Sequence, residues 1–317
     1  SWRDFPTVIQ IGTNNYCGYP YCGIYCSYCV PQYYIARKLD DYIEMPMLQI
    51  KWIFEQIKDK NVGLCRLFLN GDGGRESRLS EILALGKSIN PKLNMDTFTC
   101  GVNPINKELL VDERLNGLSF TISAHTPELY LKVHRGNKFK EAIETLEWVL
   151  NNKHKEQSIE VHCVVTKDNI DSIKEWWDFF GQYPIMRVLS PLVCNCYAMP
   201  SQVLSVGYDS TKADALIAEI TGGKRGFMFL CDRIPNNMPC NLWNVLAIEA
   251  NGAILKCCTF YNWKQLNFGF IQDYIANGKT LKEAWQIRCN DQFNNKLCES
   301  CNMKAINWQK KLALGMK

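Results

Sequence analysis

The chain has 317 residues, of which 47% are hydrophobic and 21% are charged, a balance that supports a large core and excludes an intrinsically disordered protein. Its 36 basic and 32 acidic side chains leave a net charge of only +4, which argues against partners such as nucleic acid or an anionic membrane surface. No apolar run reaches the roughly 20 residues of a transmembrane helix, and the first residues lack a secretory signal pattern. We therefore expect a cytoplasmic protein.

Strands and helices alternate along the N-terminal part of the chain. Short apolar or alternating runs predict strands at residues 8–12, 64–69, 95–99, 118–123, 159–165 and 185–189. Helical spacing predicts connections at residues 47–58, 77–89, 107–112, 139–152 and 169–180. Because a helical crossover joins parallel strands, the sequence predicts an α/β domain whose sheet is open or curled into a barrel.

Several of these strands carry polar side chains on one face only. Glu160 and His162 alternate with apolar residues, Arg187 lies between Met186 and Val188, and Asn70 follows the second strand. A polar face suits the lumen of an incomplete barrel that holds a ligand, and barrel enzymes place their chemistry at the C-terminal ends of strands. The residues predicted to line a substrate pocket are Asn70, Glu160, His162 and Arg187. The alternative is that they are hydrogen-bonded buried or edge residues.

The pattern changes after the sixth strand, and we place a domain boundary near residue 205. The predicted domains are therefore residues 1–205 and 206–317. The second begins with a predicted helix at residues 211–220. Asn251 and Gly252 separate two apolar runs and predict a β-hairpin. A helix at residues 281–289 and a basic tail follow.

Sixteen cysteines are unusual for a chain of this kind. Without a secretion signal, clustered cysteines favour metal or redox chemistry over a disulfide framework, whereas Cys65 and Cys163 lie in apolar runs and are predicted core residues. Cys22, Cys26 and Cys29 form a CxxxCxxC motif directly after the first strand. Three thiolates on a short loop can hold one inorganic cluster and leave one iron open to a ligand. Cys17 is a possible fourth ligand, and a zinc knuckle is the alternative.

This motif, with Tyr28 before its last cysteine and a series of β/α units around it, resembles the radical S-adenosylmethionine (SAM) superfamily. The resemblance implies a partial (β/α)6 TIM barrel in which Cys22, Cys26 and Cys29 hold a [4Fe-4S] cluster and SAM chelates the open iron. In that chemistry, one-electron reduction cleaves SAM to a 5′-deoxyadenosyl radical, which abstracts a substrate hydrogen. An external reductant such as flavodoxin or ferredoxin is the implied partner.

The resemblance also implies residues that bind SAM. The glycine-rich segment after the second strand is similar to the family's GGE segment, although Arg75 separates Gly74 from Glu76. Ser123 and Arg135 match an SxD…RG region that holds the SAM carboxylate, for which a guanidinium fork is suited. Tyr28 is placed near the adenine. The predicted cofactor-binding residues are Tyr28, Gly71, Asp72, Gly73, Gly74, Ser123 and Arg135.

A second cysteine set lies near the C-terminus, with the spacing C-x11-G-x4-C followed by CxxC. It resembles the SPASM or shorter twitch extension of radical SAM enzymes, and four thiolates would fully ligate one auxiliary [4Fe-4S] cluster. The predicted ligands are Cys240, Cys257, Cys298 and Cys301. Cys258 competes with Cys257, while Cys231 and Cys289 are spare candidates. A structural zinc site on the same cysteines is the alternative.

These features predict a radical SAM oxidoreductase with two [4Fe-4S] clusters. Its substrate radical would pass an electron to the auxiliary cluster, giving a net oxidation or cross-link of a small polar molecule or peptide. We expect no leader-peptide-binding module before the first strand, which weighs against a peptide. The alternative is a redox-neutral epimerase or rearrangement in which Cys194 or Cys196 quenches the radical as a catalytic thiol. A zinc or iron–sulfur protein that binds nucleic acid without catalysis is a further alternative.

Overall fold

The computed structural model describes residues 4–18, 21–29, 42–191, 210–222, 244–258 and 267–290. The strands are β1 (Val8–Ile11), β2 (Leu64–Arg66), β3 (Met95–Thr99), β4 (Gly117–Thr121), β5 (Ser158–Val165), β6 (Met186–Pro191), β7 (Val245–Ile248), β8 (Ala253–Leu255) and β9 (Asn267–Phe270). The α-helices are α1 (Met47–Ile57), α2 (Leu79–Ile89), α3 (Pro127–His134), α4 (Phe139–Asn152), α5 (Ile173–Phe180), α6 (Ser210–Ile220), α7 (Ile271–Ala276) and α8 (Leu281–Asn290). Short 3-10 helices lie at Gly73–Arg75, Lys107–Val111 and Ile170–Ser172.

The strands form one sheet in the order β6-β5-β4-β3-β2-β1-β7-β8-β9. Strands β1 to β6 are parallel and adjacent in chain order, with a helical segment in each crossover. The sheet is not closed, because β6 and β9 are its edges within the described residues. The predicted α/β class and partial barrel are therefore confirmed.

The predicted hairpin joins this sheet directly. Strand β7 pairs parallel to β1, with Val8 opposite Val245 and Ile11 opposite Ile248. Strand β8 then returns antiparallel after the turn at Asn251 and Gly252, and Gly252 has the positive φ of 86° that such a turn needs. The sheet therefore contains strands from both sides of residue 205. The domain boundary near that residue stays a prediction.

The two faces of strand β5 differ as the alternation predicted, whereas Ser119 in β4 is buried. In β5, Ile159, Val161, Cys163 and Val165 are buried, whereas the intervening side chains are half-buried. Cys65 is fully buried as well, so both cysteines predicted to be core residues are confirmed in that role. No helix in the described ranges combines the length and hydropathy that crossing a bilayer demands.

Arg187 is a correction to the predicted pocket. Its guanidinium lies 4.1 Å from the centre of the Trp177 ring, and its Nη1 donates to the Trp177 carbonyl at 2.5 Å. The cause is strand register: Arg187 is opposite Val161, whose side chain faces the core, while Val188 is opposite His162. Arg187 therefore packs on helix α5 outside the lumen.

Helix α3 was not predicted, and it supports the candidate site. The Thr126 hydroxyl accepts a hydrogen bond from the Leu129 N–H at 3.3 Å, and Pro127 occupies the first turn. A capping threonine followed by proline is a start signal for a helix, so the information was present in the sequence. The helix ends at Arg135, which has a left-handed backbone with φ 53°.

Candidate functional site

The cysteine loop follows β1 and rests on the C-terminal end of helix α3. The Tyr25 N–H donates to the His134 carbonyl at 2.8 Å, and the Ser27 N–H donates to the Val133 carbonyl at 2.8 Å. Gly136 lies so close that a Cβ there would meet the Ile24 side chain at 2.7 Å. The loop N–H groups therefore satisfy carbonyls that the end of helix α3 leaves free, and these bonds hold the loop in place.

The thiols of Cys17, Cys22 and Cys100 lie close together, with the Cys22 sulfur at the centre. This sulfur accepts the Gly18 N–H at 3.1 Å, and the thiols of Cys100 and Cys17 lie within hydrogen-bonding reach of it. The hydrogen bonds from Cys100 and Cys17 lower the pKa of Cys22. Burial instead raises the pKa of Cys26.

His134 was not among the predicted site residues, yet its side chain contacts the motif. Its Nδ1 lies 3.1 Å from the Cys26 sulfur, and its Nε2 accepts the Ser123 backbone N–H at 3.0 Å. The ring is fully buried, and this burial lowers the pKa of His134 to about 3. The only sequence signal was its place beside Arg135.

The glycine-rich segment packs against protein rather than lining an open space. A Cβ at Gly71 would overlap Asn14, one at Gly73 would overlap the Thr97 hydroxyl, and one at Gly74 would meet the Thr99 hydroxyl at 2.7 Å. The glycines are therefore required by close contact with strand β3 and with the segment after β1. Their contact with a cofactor stays a prediction.

Asp72 ties this segment together. One carboxylate oxygen accepts the Gly74 N–H at 2.7 Å, and the other accepts the Cys100 N–H at 2.8 Å. Burial raises the pKa of Asp72. Both carboxylate oxygens thus accept backbone hydrogen bonds, and Asp72 connects the glycine segment to Cys100.

The Ser123 side chain is fully buried. Its hydroxyl accepts the Val164 N–H at 3.0 Å and lies 3.4 Å from the Tyr28 hydroxyl. Tyr28 itself lies edge-on to His134, with ring centres 6.1 Å apart. Ser123 therefore supports Tyr28 and strand β5, and its predicted bond to a SAM carboxylate remains untested.

Arg135 is an exposed residue directly after the last residue of helix α3. Its backbone N–H caps helix α3 by donating to Leu131 at 2.9 Å, but its guanidinium has no hydrogen bond or ion pair with another described residue. A guanidinium in this position is available to an anion such as a carboxylate.

The thiols of the loop and the polar atoms around them are of the kinds that suit an iron–sulfur cluster. The donors are three thiols on one loop, the set that such clusters use. The Tyr130 hydroxyl is fully buried with no hydrogen-bond partner among the described residues. Burial, followed by the nearby thiols of Cys100, Cys26 and Cys22, raises its pKa. An acceptor-rich group among these thiols would satisfy that hydroxyl, so the residues fit a cluster.

The type of ligand atom suits a cluster, but the ligand atoms are not gathered around one point. In the described part of the chain, no three His, Cys, Asp or Glu side chains surround a single point as metal ligands. The assignment of Cys22, Cys26 and Cys29 as ligands therefore stays a prediction.

Glu160 and His162, two of the residues predicted to line a substrate pocket, form a polar wall on the half-buried face of β5, and their contact with a substrate stays a prediction. Glu160 Oε2 accepts from the Ser119 hydroxyl at 3.0 Å and lies 2.9 Å from His162 Nε2. The His162 ring is edge-on to Phe98, with centres 4.8 Å apart. Burial alone would raise the pKa of Glu160, but the hydrogen bond and charge of His162 lower it overall. Asn70 bonds to Glu249.

Two charged residues beside this wall were missed. Arg66 Nη2 donates to Asp96 Oδ2 at 2.8 Å, and the Arg66 guanidinium lies 4.9 Å from the centre of the Phe98 ring. Burial, outweighing the attraction of Arg66, raises the pKa of Asp96. Both residues interrupt short apolar strands, which is the signal that could have revealed them.

The second cysteine set lies mostly outside the described residues. Cys257 and Cys258 follow β8 and are half-buried, and Cys258 packs against the small cluster of Ala247, Ala253 and Leu255. Neither an auxiliary cluster nor the choice between these two residues is tested. The predicted residues beyond the described ranges are Cys194, Cys196, Cys240, Cys298 and Cys301, together with the spare candidate Cys231.

The fold is similar to that of solved structures. SuiB from Streptococcus suis is 17% identical, with 95% of this chain and 71% of SuiB covered and a TM-score of 0.65. The structure of SuiB bound to S-adenosylmethionine is 17% identical, with 96% of this chain and 70% of SuiB covered and a TM-score of 0.62. Coproporphyrinogen III oxidase (HemN) from Escherichia coli, described as a radical SAM enzyme, is 12% identical over 70% of this chain and 54% of HemN, with a TM-score of 0.43. No family model and no curated protein sequence matches the chain.

Proposed function

We propose that the chain is a radical SAM enzyme. The observation that carries the proposal is the CxxxCxxC loop, set at the C-terminal end of β1 in a fold similar to SuiB, of which one structure is bound to S-adenosylmethionine. Cys22, Cys26 and Cys29 would hold a [4Fe-4S] cluster beside which SAM binds. When bound, these groups would supply the radical that removes a hydrogen atom from the substrate.

The surrounding residues would bind, orient and enclose. Arg135 would pair with the SAM carboxylate, because its guanidinium is exposed beside the loop and has no partner among the described residues. Tyr28, braced by Ser123, would pack near the adenine. The half-buried Cys17 and the buried Cys100 would limit the access of water to the Cys22 side of the loop.

The substrate would lie in the lumen, against the face that carries Glu160, His162 and Phe98. This wall combines a carboxylate, an imidazole and an aromatic edge within hydrogen-bonding and ring-contact distance of one another. Such a surface suits a small polar molecule or a polar peptide side chain and offers little to a hydrocarbon.

At a finer level, we propose an oxidoreductase with an auxiliary [4Fe-4S] cluster on Cys240, Cys257, Cys298 and Cys301. The spacing of these cysteines supports it, because four thiolates leave no iron open and suit electron transfer. A flavodoxin or ferredoxin in the cytoplasm would supply the first electron.

The first experiment measures iron and SAM cleavage in the full chain after anaerobic reconstitution. Two clusters correspond to about eight irons per chain. Replacing Cys22, Cys26 and Cys29 together by Ala should remove about half of the iron and abolish formation of 5′-deoxyadenosine with dithionite. Cys65→Ala, which removes a buried thiol outside the loop, should change neither. Stoichiometric zinc, or iron that does not respond to SAM, would contradict the proposal.

The second experiment separates the two clusters. A variant with Cys298→Ala and Cys301→Ala should still form 5′-deoxyadenosine but should lose the oxidised product. Circular dichroism must first show that the variant is folded, because removal of a metal centre can unfold the region that it ties together. A folded variant that still forms all of its product would replace the oxidation with a redox-neutral reaction, in which Cys194 or Cys196 quenches the radical.

A further inference from the structure

His134 contacts the cysteine loop through both its backbone and its side chain. Its carbonyl accepts the Tyr25 N–H at 2.8 Å, while its Nδ1 lies 3.1 Å from the Cys26 sulfur. The ring is fully enclosed and stacks on Tyr130, with ring centres 4.3 Å apart and planes tilted by 30°. The position of the imidazole is therefore determined on three sides.

The hydrogen bonds determine which ring nitrogen carries the proton. The Ser123 backbone N–H, which can only donate, points to His134 Nε2 at 3.0 Å. Nε2 must therefore be the acceptor and carry no hydrogen. A neutral imidazole has one N–H, so that hydrogen lies on Nδ1, which faces the Cys26 sulfur.

We propose that His134 is a positioning residue that donates its Nδ1–H to the Cys26 thiolate and thereby raises the reduction potential of the cluster. The inference rests on the proposed function, in which Cys26 is a cluster ligand. A hydrogen bond to a ligand sulfur stabilises the reduced form, which carries the additional negative charge, more than the oxidised form. Acceptance of an electron by the cluster then becomes easier.

Two conservative variants separate the two hydrogen bonds of the ring. In His134→Gln, the amide oxygen replaces Nε2 as acceptor for Ser123, but nothing donates at the Nδ1 position. In His134→Asn, the amide NH2 replaces Nδ1 as donor to Cys26, and the Ser123 N–H loses its acceptor. A merely structural role predicts similar effects of both substitutions on iron retention and none on the potential.

The measurement is the midpoint potential of the SAM-binding cluster in the reconstituted full chain, followed by electron paramagnetic resonance. His134→Gln should lower the electron affinity of the cluster about tenfold, which is ~59 mV for one electron. His134→Asn should stay at the wild-type potential. His154→Gln is the matched control. The ring of His154 bonds to the Leu115 carbonyl at the N-terminal end of β5, whereas the cysteine loop follows the C-terminal end of β1. Equal potentials of His134→Gln and wild type would overturn the proposal.

A second measurement decides the case if the variants do not retain iron. Nitrogen NMR of the wild-type chain under reducing conditions should show His134 protonated at Nδ1 and unprotonated at Nε2, and the signal is assigned by its absence from His134→Gln. A proton on Nε2 would overturn the inference. A wild-type chain whose iron does not respond to SAM contradicts the proposed function instead, and the two failures are thus distinguishable.

Discussion

Glu76 and Arg78 form a two-point ion pair across a single intervening residue, and the carboxylate is completely enclosed. Arg78 Nε donates to Oε1 at 2.9 Å and Nη2 donates to Oε2 at 3.0 Å. Arg78 Nη1 also donates to the Met45 carbonyl at 2.8 Å, and Asn14 Nδ2 donates to Glu76 at 3.2 Å. The carboxylate that follows the glycine segment therefore fastens three pieces of chain to one another.

Removal of Arg78 should destabilise the fold strongly. Arg78→Met leaves Glu76 buried without its cation, and the free energy of unfolding should fall by about 3 kcal/mol. Lys51→Met, which breaks the exposed pair with Glu55, should change it by less than about 0.5 kcal/mol. Urea denaturation measures both. Equal stability of the two variants would show that the enclosed pair contributes no more than a surface pair.

The glycine segment offers a test of packing against ligand contact. Gly73→Ala forces a methyl group into the Thr97 hydroxyl and should lower the free energy of unfolding by about 2 kcal/mol or more without SAM present. Gly63→Ala is the control, since its nearest neighbour would be the Thr7 carbonyl at 3.7 Å. If Gly73→Ala leaves stability unchanged but weakens SAM binding, the glycine is needed for the cofactor and the packing explanation is wrong.

Arg135 should show opposite effects on stability and binding. Its φ of 53° favours glycine, so Arg135→Gly should leave the free energy of unfolding unchanged or raise it by up to about 1 kcal/mol. The same change should weaken SAM binding by about 10- to 150-fold, since a charge-assisted contact contributes about 1.5–3 kcal/mol and 1.4 kcal/mol is a factor of about ten. Arg135→Lys keeps the charge but not the two-point contact and should be intermediate. Calorimetric SAM titration tests this, and unchanged affinity in Arg135→Gly would remove the residue from the site.

The lumen wall predicts a pH dependence of stability. The pKa of Glu160 is lowered in the folded state, so ionised Glu160 stabilises the fold above its ordinary value of 4.5, and the contribution is lost as the pH falls through the folded-state pKa. The difference in unfolding free energy between wild type and Glu160→Gln should therefore shrink below pH 4.5. Ser119→Ala, which removes one hydrogen bond to this carboxylate, should reduce the pH-dependent part. A difference that does not vary with pH would contradict this assignment.

Arg187 and His162 lie on adjacent strands but on opposite faces of the sheet, and their variants should differ accordingly. Arg187→Met loses the contact with Trp177 and should reduce the free energy of unfolding by about 1 kcal/mol, with product formation unchanged. His162→Asn should change product formation, because this ring faces the lumen beside Glu160. Loss of product in a stable Arg187→Met variant would return Arg187 to the pocket.

The order and type of the barrel elements follow from local pattern. Apolar spacing identified all six barrel strands and a helical segment in each crossover, although not helix α3, because a strand or helix that packs on one face repeats its apolar residues with its own period. The cysteine loop was equally readable, since its three thiols lie within eight residues of one another. The hairpin at Asn251 and Gly252 was predicted from turn chemistry alone.

Contacts between distant parts of the chain could be decided only by the tertiary structure. The pairing of β7 with β1 joins strands that are far apart in the chain. The face occupied by Arg187 depends on strand register, which a shift of one residue would invert. The enclosure of Glu76 includes a hydrogen bond from Asn14, 62 positions away. The bond between His134 and Cys26 joins residues 108 positions apart. Local sequence determines which elements form because propensity and periodicity act over a few residues, whereas the partner of a buried polar atom is selected when the elements pack together.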